Sequence, residues 1–235
     1  MQKEITEELK QEILGHSALA SDHPYNEGTV QHYQEIASKY DDIYLTLGYH
    51  DHEKCNELAS QLFPDVEARS KLEVFDMGCG TGLVGEEMQK NGFTNIVGCD
   101  ASKAMCDQAA TKNDGKAYTE LLELFLGRPD TFPENLKNRF DIVTGAGILA
   151  QGHLDKKVFD EMVAATKGKG SYVIITTRES YMTQYGYQTK VDEFIKNGIW
   201  KQAGCIKFFR YDNLGDSQVG RYKKAEILCL AYEIL

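Results

Sequence analysis

No two of the six cysteines, at positions 55, 79, 99, 106, 205 and 229, are spaced as CxxC. Cys79 and Cys99 fall in or beside apolar runs that read as buried strands. The thiols therefore read as reduced small hydrophobes of a cytosolic, cytoplasmic protein rather than as disulfides or nucleophiles. No apolar run approaches the length of a membrane span. Met1 to Lys10 mixes acids and bases and lacks the uninterrupted apolar core of a secretory signal. Positive charge is also in short supply. A formal net charge of −10 argues against a broad phosphate-binding surface, and with it against nucleic acid or an anionic membrane as the default partner. Repeats and low-complexity stretches are missing as well. What is left, 235 residues with 42% hydrophobic and 26% charged side chains, suffices for one well-buried core with additions.

The densest signal is Asp76-Met77-Gly78-Cys79-Gly80-Thr81-Gly82, directly after the apolar run Leu72-Glu73-Val74-Phe75. Glycines at a strand end let backbone approach a ligand closely. The next segment, Leu83 to Asn91, reads as a helix whose free N–H groups face that ligand. Asp76 would repel a pyrophosphate at close range and attract an amine. Thr94 to Cys99 reads as a second buried strand ending in Asp100, the place where a ribose presents its two hydroxyls. Hydrogen bonds to a charged acceptor contribute roughly 1.5–3 kcal/mol each, so Asp100 matters to affinity. A second pattern overlaps the first: Gly80-x-Gly82-x-x-Gly85 fits the dinucleotide fingerprint, with an acid about twenty residues beyond. That fingerprint begins as the strand ends, whereas here Asp76, Met77 and Gly78 intervene, and a start at Gly78 puts Leu83 at the third glycine. A nucleotide-like cofactor carrying an amine leads, and a nicotinamide or flavin is the alternative.

Ile5, Leu9 and Ile13, followed by Gly15, predict a short amphipathic helix. Tyr33, Ile36, Ala37 and Tyr40 form one face of a second, and Asp51 to Phe63, closed by Pro64, a third. Ser102 caps a helix running to about Thr111, and the stretch Ala117 to Leu126 contains a third strand of unclear limits. A strand over Arg139 to Gly145, a helix over Lys156 to Lys167 and a strand over Gly170 to Thr177 follow. The last fifty residues change character: a helix over Val191 to Asn197, then strands Cys205 to Tyr211 and Lys224 to Tyr232 about a short polar turn, an antiparallel hairpin. The expected fold is α/β: a Rossmann-like doubly wound, mostly parallel sheet ending in an antiparallel hairpin, with an N-terminal helical extension. Residues 1–68 read as the helical extension or cap and 69–235 as the ligand-binding domain.

The acid-x-Gly-x-Gly-x-Gly loop and the acid closing the second strand resemble the cofactor site of class I S-adenosylmethionine-dependent methyltransferases. Within that class the chain looks like the methyltransferase-like proteins of the Williams-Beuren syndrome region group, on Tyr40-Asp41, Asp76 to Val84, Gly98 to Ser102, Leu126-Gly127, Phe140-Asp141 and Thr176 to Arg178. The resemblance implies S-adenosyl-L-methionine as cofactor, its methionine part held by Asp76 and the backbone of Gly78, Cys79, Gly80 and Gly82. Asp100 would take the ribose, with Ala101 and Ser102 beside the adenine edge and Phe125, Leu126 and Gly127 flanking it. Gly145 and Ala146 would pass under the methionine, and Tyr33 and Tyr40 would close over the cofactor or serve as core contacts of their helix.

Methyl transfer from a sulfonium is an in-line displacement, which asks the protein to align an electron-rich atom and exclude water. A base helps a hydroxyl or protonated amine, and His153, beside the expected strand end at Gly145, is the candidate by position. Arg178 and Tyr181, with Tyr185 and Tyr187, follow a strand on the ligand side of the sheet and suit a small carboxylate or planar substrate, or stiffen a surface loop. His50-Asp51-His52 offers too few ligands for a metal, and none is expected. No Asn-Pro-Pro-Tyr element follows the Phe140 strand, which counts against methylation of exocyclic amines on bases or glutamine. The sequence thus points to methyl transfer to a small molecule or protein side chain. The alternatives are a scaffold subunit that keeps the fold inside a larger assembly and, behind it, a nicotinamide-dependent oxidoreductase.

Overall fold

Every residue from Val74 to Met77 is buried, as befits a strand covered on both faces. In a computed structural model that describes Gln11, Ile13, Leu14 and residues 27–235, this segment is β1 (Glu73–Met77) of a seven-stranded sheet. The helix expected from Ile5, Leu9 and Ile13, ending at Gly15, lies outside the described residues apart from Gln11, Ile13 and Leu14, which are helical, Ile13 being buried. The other strands are β2 (Asn95–Asp100), β3 (Glu120–Glu123), β4 (Ile142–Leu149), β5 (Tyr172–Arg178), β6 (Trp200–Arg210), β7 (Gln218–Val219), β8 (Tyr222–Lys223) and β9 (Ala225–Ile234). The sheet runs β3-β2-β1-β4-β5-β9-β6, parallel through β5, with β9 antiparallel to both β5 and β6. The strand order reverses between β1 and β4, and in open α/β sheets the crevice at that reversal, beyond the carboxyl ends, is where ligands bind.

Alternate residues of the strands supply two cores. Phe75, Val97, Val143 and Ile175 point to one face, packed with Phe140, Phe159 and Trp200; Val74, Ile96, Ile142 and Ile174 point to the other, packed with Cys55, Leu58 and Met88. Each such side chain contributes roughly 1.5–3 kcal/mol on burial, so two filled faces fix the register of the sheet. The second face is covered by α3 (Asp51–Leu62) and α4 (Leu83–Lys90). Ahead of them α1 (Glu27–Ile36) and α2 (Tyr40–Leu47) build a third cluster, in which Ile36, Ile43, Tyr44 and Leu47 meet Leu83, Met105, Tyr211 and Tyr222. No helix of the described residues is long and apolar enough to cross a membrane.

The structure moves several limits read from the sequence. The helical face from Tyr33 to Tyr40 is broken by a 3-10 turn at Ala37–Lys39. The strand expected over Arg139 to Gly145 is β4, displaced to Ile142–Leu149, because Phe140 forms only a single bridge with Thr166. The third strand is Glu120–Glu123. The hairpin is present as β6 and β9, but its connection is no short polar turn: residues 211–224 make a 3-10 turn and the small ladder β7–β8, and this excursion returns to the crevice.

Candidate functional site

Beyond β1 the chain turns at Gly78 and Gly80, with φ of +68° and +54°, angles that a side chain rarely allows. A Cβ at Gly80 would meet no protein atom within 4 Å, so the loop leaves a space that the chain itself does not fill. Asp100, at the end of β2, stands at the rim. Its Oδ2 accepts the Gly80 N–H at 3.1 Å and its Oδ1 the Ser102 N–H at 2.8 Å, and burial raises its carboxyl above the usual range against those bonds. An ionised carboxylate offers about four lone-pair sites, so two remain for a diol. Gly78, Gly80, Asp100, Ala101, Leu126 and Ala146 line this part of the crevice, roofed by Tyr33 and Tyr40.

Asp76 lies beneath the loop and is wholly buried. Its Oδ2 accepts the Tyr118 hydroxyl at 2.7 Å and its Oδ1 the Thr144 hydroxyl at 2.8 Å. Burial pushes its carboxyl up to about 6, opposed by those two bonds. The Tyr118 oxygen also accepts the Gly85 N–H at 3.1 Å, joining β1 to the first turn of α4. The Tyr118 ring occupies the space that two glycines vacate: a Cβ on Gly98 would come within 2.7 Å of it, and one on Gly85 would clash with it directly. These two glycines serve a tyrosine, not a ligand.

The crevice continues into a second cavity of about 290 Å³ that shares Tyr33, Tyr40, Gly147 and His153 with the first. His153 Nδ1 is 2.8 Å from the Gln151 carbonyl, which can only accept, so the ring proton sits on Nδ1 and the Nε2 lone pair faces the Tyr33 hydroxyl at 2.6 Å. Withdrawal from water, with the charges of Arg221 and Arg210 adding to it, pushes the imidazole down to about 4, while burial pushes the Tyr33 phenol up. Both groups are neutral at pH 7. Gly147 is held in the wall by a relay in which its N–H donates to Thr176 Oγ1, Thr176 donates to Asp51, and Asp51 is paired through both oxygens with Arg210. Asp41, beside Tyr40, takes the Thr81 hydroxyl on one oxygen and Lys112 on the other, tying α2 to the glycine loop.

A sequence profile described as a methyltransferase domain matches residues 74–170, the span from β1 to just before β5 that contains the loop, Asp100 and His153. Methyltransferase-like protein 27 of Homo sapiens is 30% identical over 172 residues, 72% of this chain and 66% of that protein. The matched span is a class I S-adenosylmethionine-dependent methyltransferase domain. S-adenosyl-L-methionine is the cofactor of that class, and the glycine loop with the space above Gly80 and the free lone pairs of Asp100 suit it. The mitochondrial ubiquinone biosynthesis O-methyltransferase of Dictyostelium discoideum is 28% identical over 123 residues, 48% of this chain and 37% of that protein. The chain thus spans 66% and 37% of the length of these two relatives. Magnesium protoporphyrin IX methyltransferase of Synechocystis, solved with bound S-adenosylmethionine, superposes with a TM-score of 0.54 at 12% identity over 99% of this chain and all of that one, a likeness of fold.

Of the residues read from the sequence, Gly78, Gly80, Asp100, Ala101, Leu126, Tyr33, Tyr40 and His153 meet on one crevice, and Arg178 and Tyr181 stand on its second cavity. Others support it from behind. Asp76 and Cys79 are buried, and Gly82 begins α4. Ser102 caps the helix α5 (Lys103–Ala109) by accepting the Met105 N–H at 3.3 Å. Gly127 donates to the buried Glu161, and Gly145 packs on Met162. His50 pairs with Glu53 and Asp212, and Asp51 with Arg210. Sequence reasoning missed Tyr118, Tyr44, Tyr49, Arg210, Tyr211, Arg221 and Tyr222. For Tyr118 a signal existed: Gly85 and Gly98 sit in a helix and a strand, where only a neighbour's bulk requires glycine.

Proposed function

We propose that this methyltransferase places an acceptor, a small molecule or a protein side chain, in the second cavity with its reacting atom beside Tyr33 and His153. The observation that carries this reading is the continuity of the two cavities through those residues. S-adenosylmethionine, when bound, supplies an electrophilic methyl on a sulfonium. Asp100 would hold its ribose, the Gly78–Gly80 backbone its methionine part, and Ala101 and Leu126 its adenine. Asp76 adds negative charge under the loop, favourable to a cationic ligand. His153, with its proton fixed on Nδ1 by Gln151, takes the acceptor's proton on Nε2 directly or through the Tyr33 hydroxyl. Tyr33 and Tyr40 exclude water. We further take residues 1–68, described at Gln11, Ile13, Leu14 and 27–68, as the helical extension or cap, and the cytoplasm as the compartment, the latter supported by six free cysteines of which five are buried. The likeness to methyltransferase-like protein 27 favours membership of its group.

Titration calorimetry with S-adenosylmethionine and S-adenosylhomocysteine tests the cofactor part; absence of heat with either at millimolar ligand removes it. Transfer of labelled methyl to a metabolite and protein panel tests turnover. Cofactor binding with no transfer, together with stable co-purification of another protein, would favour the scaffold reading instead.

A further inference from the structure

The wall of the second cavity has a one-sided chemistry. Among the described residues seven tyrosines and three arginines contribute to it and no carboxylate does, in a chain whose net charge is −10. The tyrosines converge from α1, α2, the 211–224 excursion and the segment after β5: Tyr40 stacks on Tyr44 at 4.1 Å between centroids, and Tyr44 meets Tyr222 edge-on at 5.7 Å, with their hydroxyls 3.1 Å apart. Tyrosines alone would suit a cation as readily as a planar group. The arginines decide against a cation.

The three are not equivalent. Arg210 is neutralised by Asp51, to which it is bound through both nitrogens that face it. Arg221 lies against the Tyr222 ring at 5.2 Å. Arg178, the last residue of β5, rests over the Tyr181 ring at 5.2 Å, and its Nε is buried without a hydrogen-bond partner; among the described residues no carboxylate pairs with it. The side chain lines the cavity without a neutralising carboxylate, so its guanidinium is a cation with which a ligand's anionic oxygen can pair there. A volume of about 290 Å³ suits a small molecule and excludes a bulky one.

Resting on the methyl-transfer reading above, we infer that the acceptor is a small planar molecule bearing an anionic group, a carboxylate or a phosphoryl, which Arg178 receives while the tyrosines hold the plane and turn its methyl-accepting atom toward His153. Titration calorimetry on the full chain saturated with S-adenosylhomocysteine, using benzoate, phenyl phosphate and uncharged benzamide as probes, tests this. At least one anion is expected to bind roughly tenfold or more tighter than benzamide. Whichever is tighter identifies the anionic group. R178M should reduce that preference to about threefold or less while S-adenosylhomocysteine binds as before, and R178K should retain part of it. Equal affinity for benzoate, phenyl phosphate and benzamide, no heat from any of them, or an undiminished preference in R178M overturns the inference. The wild-type comparison stands even if R178M does not fold. Normal cofactor heat alongside any of these failures leaves the methyltransferase reading intact, whereas missing cofactor heat removes that reading first.

Discussion

Replacing Tyr118 by phenylalanine separates what its hydroxyl does from what its ring does. The ring, against which Gly82, Gly85 and Gly98 are packed, stays in place. The hydroxyl is the donor to a wholly buried carboxylate oxygen of Asp76 and the acceptor of the Gly85 N–H. A hydrogen bond to a charged group contributes roughly 1.5–3 kcal/mol and a neutral one roughly 0.5–1.5, so Y118F should destabilise by about 2–4 kcal/mol. That is a large part of the 5–15 kcal/mol typical of a domain. Urea unfolding at pH 7.5 reads this as a lower midpoint at unchanged slope. G98A offers the complementary perturbation, since its methyl would come within 2.7 Å of the ring and 2.9 Å of Leu121; overpacking of that kind costs about 1–3 kcal/mol. In a cycle with Y118A the two should couple by about 1 kcal/mol or more, because the clash requires the ring. A loss under about 0.5 kcal/mol in Y118F would refute the role given to the hydroxyl, and additivity of G98A with Y118A would refute the assignment of these glycines to the Tyr118 ring.

D51L leaves the buried Arg210 charge uncompensated and should cost about 3–5 kcal/mol, whereas D51L/R210M should cost less than the single change; urea midpoints of the two compare them. Asp76, with a carboxyl raised from 3.8 to about 6, holds a proton that the unfolded chain has released between those values. Its contribution to stability is therefore fully present below pH 3.8 and lost as pH rises through 6. Binding of the cationic cofactor favours the ionised form, so calorimetric affinity should rise with pH through about 6, and D76N should flatten that rise. With cofactor saturating, the acid limb of kcat/KM for the acceptor should lie near pH 4 rather than near 6.5, following His153, and H153Q should lower kcat by about 10²-fold or more. D41A should change stability by about 1 kcal/mol or less, its ion pair being partly exposed, yet speed cofactor release in stopped-flow displacement.

What the chain declares locally was legible. Asp76 to Gly82 and Asp100 sit where a strand end and a strand tip must sit, because a parallel sheet brings successive carboxyl ends to one rim and sequence order fixes which. Ser102 caps its helix, and the hairpin is there, since capping chemistry and alternation are properties of a few consecutive residues. The wall of the second cavity was not legible, apart from Arg178 and Tyr181 beside their own strand. Tyr44, Tyr49, Tyr211, Arg221 and Tyr222 are distant in sequence, and each reads alone as an aromatic contact or a solvated charge. Only the return of residues 211–224 to α2 makes them one surface: the Tyr211 N–H donates to the Gly48 carbonyl at 2.7 Å, and Asn213 reaches the Thr46 carbonyl at 3.0 Å. The same excursion defeated the expectation of a short polar turn, because its polar residues serve that docking rather than a tight reversal. Asp76 shows the converse limit. Its place at the end of the first strand was legible, but whether it faces the crevice or lies beneath the loop depended on Tyr118, which falls in a stretch with no clear period.

The cap and the loop act on each other through few residues, and this has a kinetic meaning. Tyr33 and Tyr40 line both cavities, Tyr33 holds His153, and Asp41, next to Tyr40, holds Thr81 in the glycine loop. On the proposed reading, a cofactor settled on the loop would touch the two tyrosines that also line the second cavity, one of which holds His153. Binding at one cavity restricts the same side chains whose ordering the other ligand requires, so the second ligand meets a smaller entropic cost than the first. By linkage the advantage is reciprocal. On the proposed reading, in which Tyr33 of the cap and His153 of a sheet loop, 120 positions apart, act as a pair, turnover would require the cap to be seated, and the cofactor would be the ligand best placed to seat it.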